Sequence, residues 1–110
     1  MEKRRITPEV LALVAERLKA LGDPTRLQLL NALRDGEKTV TELTRETGLG
    51  QANVSKHLQY LYALRFVDRR KDGINVYYWI ADEAVFRICE IMCDKLIAEA
   101  DQRRAVLSNM

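Results

Sequence analysis

The chain has 110 residues, with 18 Lys and Arg against 16 Asp and Glu, 47% hydrophobic residues and only 5 Gly and 2 Pro. That balance excludes a disordered tail, a fibre and a disulfide scaffold, and describes one compact domain held by packing, its 2 cysteines being free thiols in a reducing compartment. The longest apolar runs, Val10 to Ala15 and Val76 to Ala81, are six residues each. A membrane span needs roughly 20, so neither a span nor a signal-peptide core is expected, and the expected location is cytoplasmic.

Thr7-Pro8-Glu9 reads as a helix start: a capping hydroxyl, a proline where no N–H is needed, and a carboxylate favoured by the helix dipole. Leu11, Val14, Leu18 and Leu21 follow at helical spacing, and Val10 and Leu13 lie off that stripe, so the first helix carries more apolar surface than one internal contact needs. Gly22 closes it. Asp23-Pro24 opens a second helix with Leu27, Leu30 and Leu33 as the expected buried face, ending at Asp35-Gly36.

Thr39-Val40-Thr41-Glu42 has the spacing of a capping box, which predicts a third helix from about Val40 to Thr47 burying Val40 and Leu43. After the turn Gly48-Leu49-Gly50, a fourth helix is predicted from about Gln51 to Leu64. Val54, Leu58 and Leu61 face inward, and Gln51, Ala52, Ser55, Lys56 and Gln59 face outward. Two short helices joined by a glycine-containing turn are a helix-turn-helix by spacing.

Phe66 to Lys71 and Asn75 to Ile80 are rich in β-branched and aromatic residues around Asp72-Gly73, which predicts a hairpin with a type I′ turn. Arg69, Arg70 and Lys71 stand beside its tip, where adjacent cations gain most from touching phosphates. Residues 51–80 carry 5 basic and 2 acidic side chains, whereas residues 81–110 carry 4 and 6, so the middle of the chain is the part suited to a polyanion. A last helix is predicted from near Asp82 to about Arg104. Val85, Phe86, Cys89, Cys93, Leu96, Ile97 and Ala100 form an arc on it, flanked by Ile88 and Met92, too wide for one contact. With the over-apolar first helix, this predicts a two-fold dimer.

Leu21-Gly22-Asp23-Pro24-Thr25-Arg26-Leu27, then Gln51-Ala52-Asn53-Val54-Ser55-Lys56-His57-Leu58, then Arg69-Arg70-Lys71-Asp72-Gly73 through Tyr77-Tyr78, together resemble the ArsR/SmtB family of winged helix-turn-helix repressors. The resemblance runs in order through roughly residues 15 to 82. It implies a mainly α fold with a β-hairpin wing and a dimer formed by the first and last helices. It also implies a near-palindromic duplex operator and release by a small inducer. The whole chain, 1–110, is then one domain, with the helix-turn-helix at about 40–64, the wing at about 66–80 and dimerisation helices at about 8–21 and 82–104.

Two metal sites of that family are missing residue by residue. The Cys-x-Cys that opens the third helix is Thr39-Val40-Thr41 here, and of the zinc ligands only Asp82 remains, beside Ala84, Lys95 and Ala98. Arg65 stands where the family usually closes the recognition helix with glycine. No cofactor is required.

The candidate DNA-binding residues are Gln51, Ala52, Asn53, Ser55 and Lys56 on the fourth helix and Arg69, Arg70, Lys71 and Asn75 on the wing. Gln and Asn can bond adenine edges bidentately, and Lys can reach guanine or phosphate. His57 reads mainly as a partly buried structural residue, Arg26 as either a structural ion pair or a phosphate anchor, and Tyr77, Tyr78 and Trp79 as hairpin packing.

Cys89 and Cys93 leave two readings open. They are small interface hydrophobes, or they are an effector site. Residues at i and i+4 have β-carbons about 5 to 6 Å apart, wide for a disulfide, so an inserted atom suits the gap better. Trivalent arsenic held by the two sulfurs, or a polysulfide link formed between them by a persulfide donor, is the expected inducer, and no other metal site is expected. An enzyme is excluded by the lack of a nucleophile and base pair or a phosphate loop. The alternative to a DNA-binding repressor is a winged-helix module for protein or RNA with purely structural cysteines.

Overall fold

Four helices start on a side chain that accepts a backbone N–H, among residues 5–109, which the computed structural model describes. Thr7 caps α1 (Pro8–Leu21), accepting from Val10 at 3.2 Å, and Asp23 caps α2 (Pro24–Ala32), accepting from Arg26 at 3.1 Å. A 3-10 turn, Leu33–Asp35, and a short strand β1 (Lys38–Thr39) lead into α3 (Val40–Thr47). Its capping box is complete: Glu42 N–H donates to the Thr39 hydroxyl and Thr39 N–H to the Glu42 carboxylate, both at 3.1 Å. Gly48 closes α3 in the left-handed conformation, φ 73°, and α4 (Gln51–Ala63) follows. Strands β2 (Val67–Asp72) and β3 (Asn75–Ile80) form the wing, and Asp82 caps α5 (Glu83–Ser108).

The sheet is antiparallel with order β1-β3-β2, so the wing carries a third strand that the sequence does not announce. Two residues are too short to show a period. The hairpin turn also differs from the expected type I′. Asp72 pairs with Asn75, leaving Gly73-Ile74 as the loop, and only Gly73 has positive φ, at 63°. A type I′ turn needs positive φ at both positions, which a β-branched Ile74 resists, so the pattern is that of type II′ with glycine first.

One core joins Leu29, Leu30 and Leu33 to Leu43, to Val54, Leu58 and Leu61 of α4, and to Phe66, Val67, Tyr78 and Val85. The face of α2 is rotated from the expected one: Leu29 is fully buried and Leu27 is 39% exposed. A larger departure is α1, where only Ala20 and Leu21 are buried and Leu11, Val14 and Leu18 of the expected inner stripe lie exposed with Val10 and Leu13. On α5 only Val85 is buried, with Phe86 and Cys89 half-buried and every residue from Glu90 onward exposed. This helix runs past the expected Arg104 to Ser108, since no glycine or proline interrupts Ala105-Val106-Leu107.

The chain exposes 8523 Å². A monomer of 12.7 kDa exposes about 6,200 Å². The excess, about 2,300 Å², lies within the range that obligate dimers bury per partner.

The end of α4 closes on a residue with a side chain. Arg65 has φ 63°, Arg65 N–H donates to the Tyr62 carbonyl at 2.9 Å and Phe66 N–H to the Leu61 carbonyl at 3.0 Å, the bond pair of a Schellman motif. Fully buried Phe66 and Leu61 supply its apolar contact. Arginine in this conformation costs about 1 kcal/mol, partly offset by its guanidinium 4.9 Å from the Tyr62 ring. Arg65→Gly is therefore expected to stabilise the fold by about 0.5 to 1 kcal/mol in urea unfolding at fixed protein concentration.

Candidate nucleic-acid interface

Helices α3 and α4 meet across Gly48-Leu49-Gly50 as a helix-turn-helix. Val54, Leu58 and Leu61 are fully buried, which fixes the rotation of α4 and leaves Gln51, Ala52, Asn53 and Lys56 exposed and Ser55 half-buried on the opposite side. Gly50, the residue before α4, offers no side-chain cap, so the first-turn N–H groups stay open to an outside acceptor. The exposed edge thus presents amides, a hydroxyl, an ammonium and open backbone donors, the inventory that base edges and phosphates require.

The strand pleat divides the basic arm that the sequence presents as one run. Arg69 pairs with Tyr78 and Lys71 with Val76, on the face turned to α4, while Arg70 pairs with Tyr77 on the other face. The Arg69 guanidinium lies 4.1 Å from the Tyr62 ring of α4 and donates to the Tyr78 hydroxyl at 3.3 Å, which ties the wing to the recognition helix and raises the arginine's affinity for its proton. A groove lined by Tyr62, Arg69, Arg70, Lys71 and Val76 opens between them. Lys71 and Asn75 are exposed, and among the described residues no carboxylate lies within ion-pair reach of Lys71. Arg70 is engaged by Glu37, a residue that the sequence gives no reason to single out, because 33 positions separate the two.

Arg26 is a joint. Its guanidinium donates to the carbonyls of Ala20 and, at 3.4 Å, Lys19 at the end of α1, and stacks 4.7 Å from the Tyr60 ring of α4. It also meets His57 Nδ1 at 3.4 Å. A guanidinium only donates, so in this contact the ring nitrogen is the acceptor. Asp23 stands 3.9 Å away, its carboxyl held below the usual range first by the Arg26 backbone N–H and then by the guanidinium charge. One side chain therefore links α1, α2 and α4. A second link is equally invisible in the sequence: Arg17 of α1 donates to the Leu64 carbonyl at 3.4 Å, at the C-terminal end of α4. Tyr78 is buried in the wing and Tyr77 and Trp79 are half-buried, as packing residues are.

Cys89 packs against the core beside Val85, and Cys93, one turn further, is exposed. Burial pushes the Cys89 thiol up, and the neighbouring Cys93 adds to the shift. Among the described residues no three His, Cys, Asp or Glu side chains gather as a metal site, and Asp82 spends its carboxylate on the α5 cap. Also among them, no helix is long and apolar enough to cross a membrane.

A helix-turn-helix followed by a hairpin defines the winged-helix class of DNA-binding domains. The sequence profile described as bacterial regulatory protein, arsR family, matches residues 23–69. The transcriptional repressor SmtB homolog of Synechocystis sp. is 37% identical over 98 residues, 84% of this chain and 74% of that protein. Among solved structures, the AntR antimony-specific transcriptional repressor superposes with a TM-score of 0.80 at 36% identity, over 93% of this chain and 92% of that one. A homodimeric winged helix-turn-helix DNA-binding domain of Mycobacterium bovis superposes at 0.71 with 32% identity, over 90% and 91%. The chain belongs to the arsR family of winged helix-turn-helix transcriptional regulators.

The Arg26 contacts decide between the two roles open to it. Arg26→Lys keeps the charge but loses the fork and the stack, and is expected to cost about 1 to 3 kcal/mol of stability in urea unfolding of the free protein. A phosphate anchor would lose DNA affinity with the unfolding midpoint unchanged.

Proposed function

We propose that this protein is a homodimeric, cytoplasmic transcriptional repressor that binds a near-palindromic duplex operator and is released by a thiophilic inducer at Cys89 and Cys93. The observation that carries the DNA reading is α4 itself: its buried stripe aims Gln51, Ala52, Asn53, Ser55 and Lys56 outward from an uncapped first turn. The unburied faces of α1 and α5 support the dimer, as does the homodimeric relative. In such a dimer the two α4 helices enter successive major grooves about 34 Å apart, and Arg69, Arg70, Lys71 and Asn75 reach the flanking backbone.

Gln51→Ala and Asn53→Ala are expected to cost about 1 to 3 kcal/mol on an operator selected from random duplexes and to relax its sequence preference. Lys71→Ala instead weakens all sequences alike and lowers the salt dependence by about one unit. Unchanged affinity in all three, measured by titration across salt concentrations, removes the DNA assignment in favour of a protein- or RNA-binding module.

For the inducer, placement matters more than identity. Cys89 is the last residue of α5 that reaches the core and Cys93 the next thiol beyond it, so an atom bridging them pulls on the helix where it leaves the domain. Soft thiolates select soft ligands, and a solved relative is an antimony-specific repressor, which favours a trivalent arsenic or antimony species. The third thiolate such an ion takes comes from the partner chain or a small thiol. A persulfide donor is the second candidate: two equivalents pass their sulfane sulfur to the two thiols and leave as thiols, and the two cysteine persulfides condense to a trisulfide with loss of hydrogen sulfide. Because the Cys89 thiol is pushed up, its thiolate is scarce at neutral pH and its capture by an inducer quickens as pH rises. Operator release by trivalent arsenic, antimony or polysulfide is expected in the native protein, faster at pH 9 than at pH 7, and absent when both Cys89→Ser and Cys93→Ser are made. Operator affinity unmoved by all three reagents makes the pair structural.

A further inference from the structure

Arg70 differs from the other two cations of the wing in what already holds it. Its Nη2 donates to Glu37 Oε1 at 2.8 Å and its Nε to Glu37 Oε2 at 3.3 Å, so both N–H groups on that edge of the fork meet one carboxylate. Its Nη1 lies 3.8 Å from Asp72, and the Tyr77 ring covers one face at 4.4 Å. Among the described residues the Arg69 guanidinium has only neutral partners, a ring and a hydroxyl. The wing therefore offers two cations that are ready and one that is committed.

Glu37 is not part of the wing. It sits in the segment between the 3-10 turn and β1, just ahead of the capping box of α3, and reaches Arg70 because β1 lies along the opposite edge of β3. Both partners are close to half exposed, at 46% and 43% of their side chains. An ion pair that open to water is weak, so a phosphate can displace the carboxylate. A guanidinium fork fits either anion in the same two-pronged way, which makes the two direct competitors.

We propose that Glu37 is an internal counter-anion for the wing: it occupies Arg70 in the free protein, DNA phosphate must displace it, and the exchange sets operator affinity. This rests on the DNA-binding reading above. Withholding one cation weakens binding to every duplex, because phosphate contacts dominate sequence-independent affinity. After the exchange the freed carboxylate stands beside the DNA backbone and recruits a cation from solution, cancelling part of the counterion release that the Arg70–phosphate contact provides.

The test is a double-mutant cycle on the selected operator with the native protein, Glu37→Gln, Arg70→Gln and the pair, each across a salt series. Glu37→Gln is expected to tighten binding by about two- to fivefold and to steepen the salt dependence by up to about one unit. In the Arg70→Gln background the same change is expected to tighten binding clearly less, since no fork is left to release and only the repulsion between the carboxylate and the DNA remains to be relieved. Equal tightening in both backgrounds would mean that Glu37 acts only through its general field, and would overturn the exchange. Weaker binding by Glu37→Gln would show that the carboxylate holds Arg70 in place for phosphate, and unchanged binding that it does nothing; either overturns it too. A native protein that binds no selected duplex defeats the DNA reading itself, an outcome distinct from all of these. Thermal unfolding of each variant checks that the fold is intact, and both sites are exposed enough for the substitutions to be tolerated.

Discussion

The apolar surface of α1 and most of that of α5 has no place in the chain's own core, and the rest of the architecture follows from this constraint. Most of the core forms without them: α2, α3, α4 and the wing close over Leu29, Leu43, Leu58, Leu61 and Phe66, all fully buried. What remains is two amphipathic helices, one of them 26 residues and so about 39 Å long, each attached to the core near one end. α1 joins through Ala20 and Leu21, and α5 through Val85 and Cys89. A chain built this way has a radius of gyration of 17.3 Å where a compact domain of its length has about 13 Å. Covering these faces with a second copy removes apolar area from water, and at the same time fixes the distance between two recognition helices that a flexible monomer could not hold.

The elements were legible in the sequence wherever a local rule selects them. Thr7 and Thr39 have their expected capping job, and Asp23 and Asp82 cap the helices expected to open beside them, because a cap is decided within four residues. The stripe of α4 was equally plain, since Val54, Leu58 and Leu61 repeat at helical spacing against polar neighbours. The failures lie where partners are distant. Helical spacing shows that a stripe exists but not whether the chain itself or another copy covers it, so Leu11, Val14 and Leu18 could be read as core. Across α2 and the 3-10 turn after it, the leucines at 27, 29, 30 and 33 allow two faces, and only the arrival of α3 and α4 selects Leu29 over Leu27.

The same distinction governs the candidate site. Which side chains of α4 face outward was readable, but the state of the cations was not. Three adjacent basic residues look alike in one dimension, yet the pleat sends Arg69 onto Tyr62, leaves Lys71 in solvent and hands Arg70 to Glu37. Arg26 shows the converse. Its partners Lys19, Ala20, Asp23, His57 and Tyr60 come from α1, the α2 cap and α4, and five such contacts around one planar group outweigh any single one of them.

These arginines also bear on how a signal travels. A ligand on α5 can change DNA affinity only if it favours one of two arrangements of the recognition helices. α4 is tied to α1 at two places, through Arg26 of α2 at His57 and Tyr60 and directly by Arg17 at the Leu64 carbonyl, so it moves with α1 more readily than alone. α5 in turn is held to the core only over its first two turns, as far as Cys89. If the proposed inducer changes the angle at Cys89 and Cys93, each helix-turn-helix stays intact and the effect falls on how the free length of α5 would meet a second copy. With α1 in the same proposed apolar layer, such a rotation would pass through it to α4 as a rigid-body displacement. Such coupling needs no contact between ligand and DNA-binding residues, and the weak joint between α5 and the domain would be its hinge.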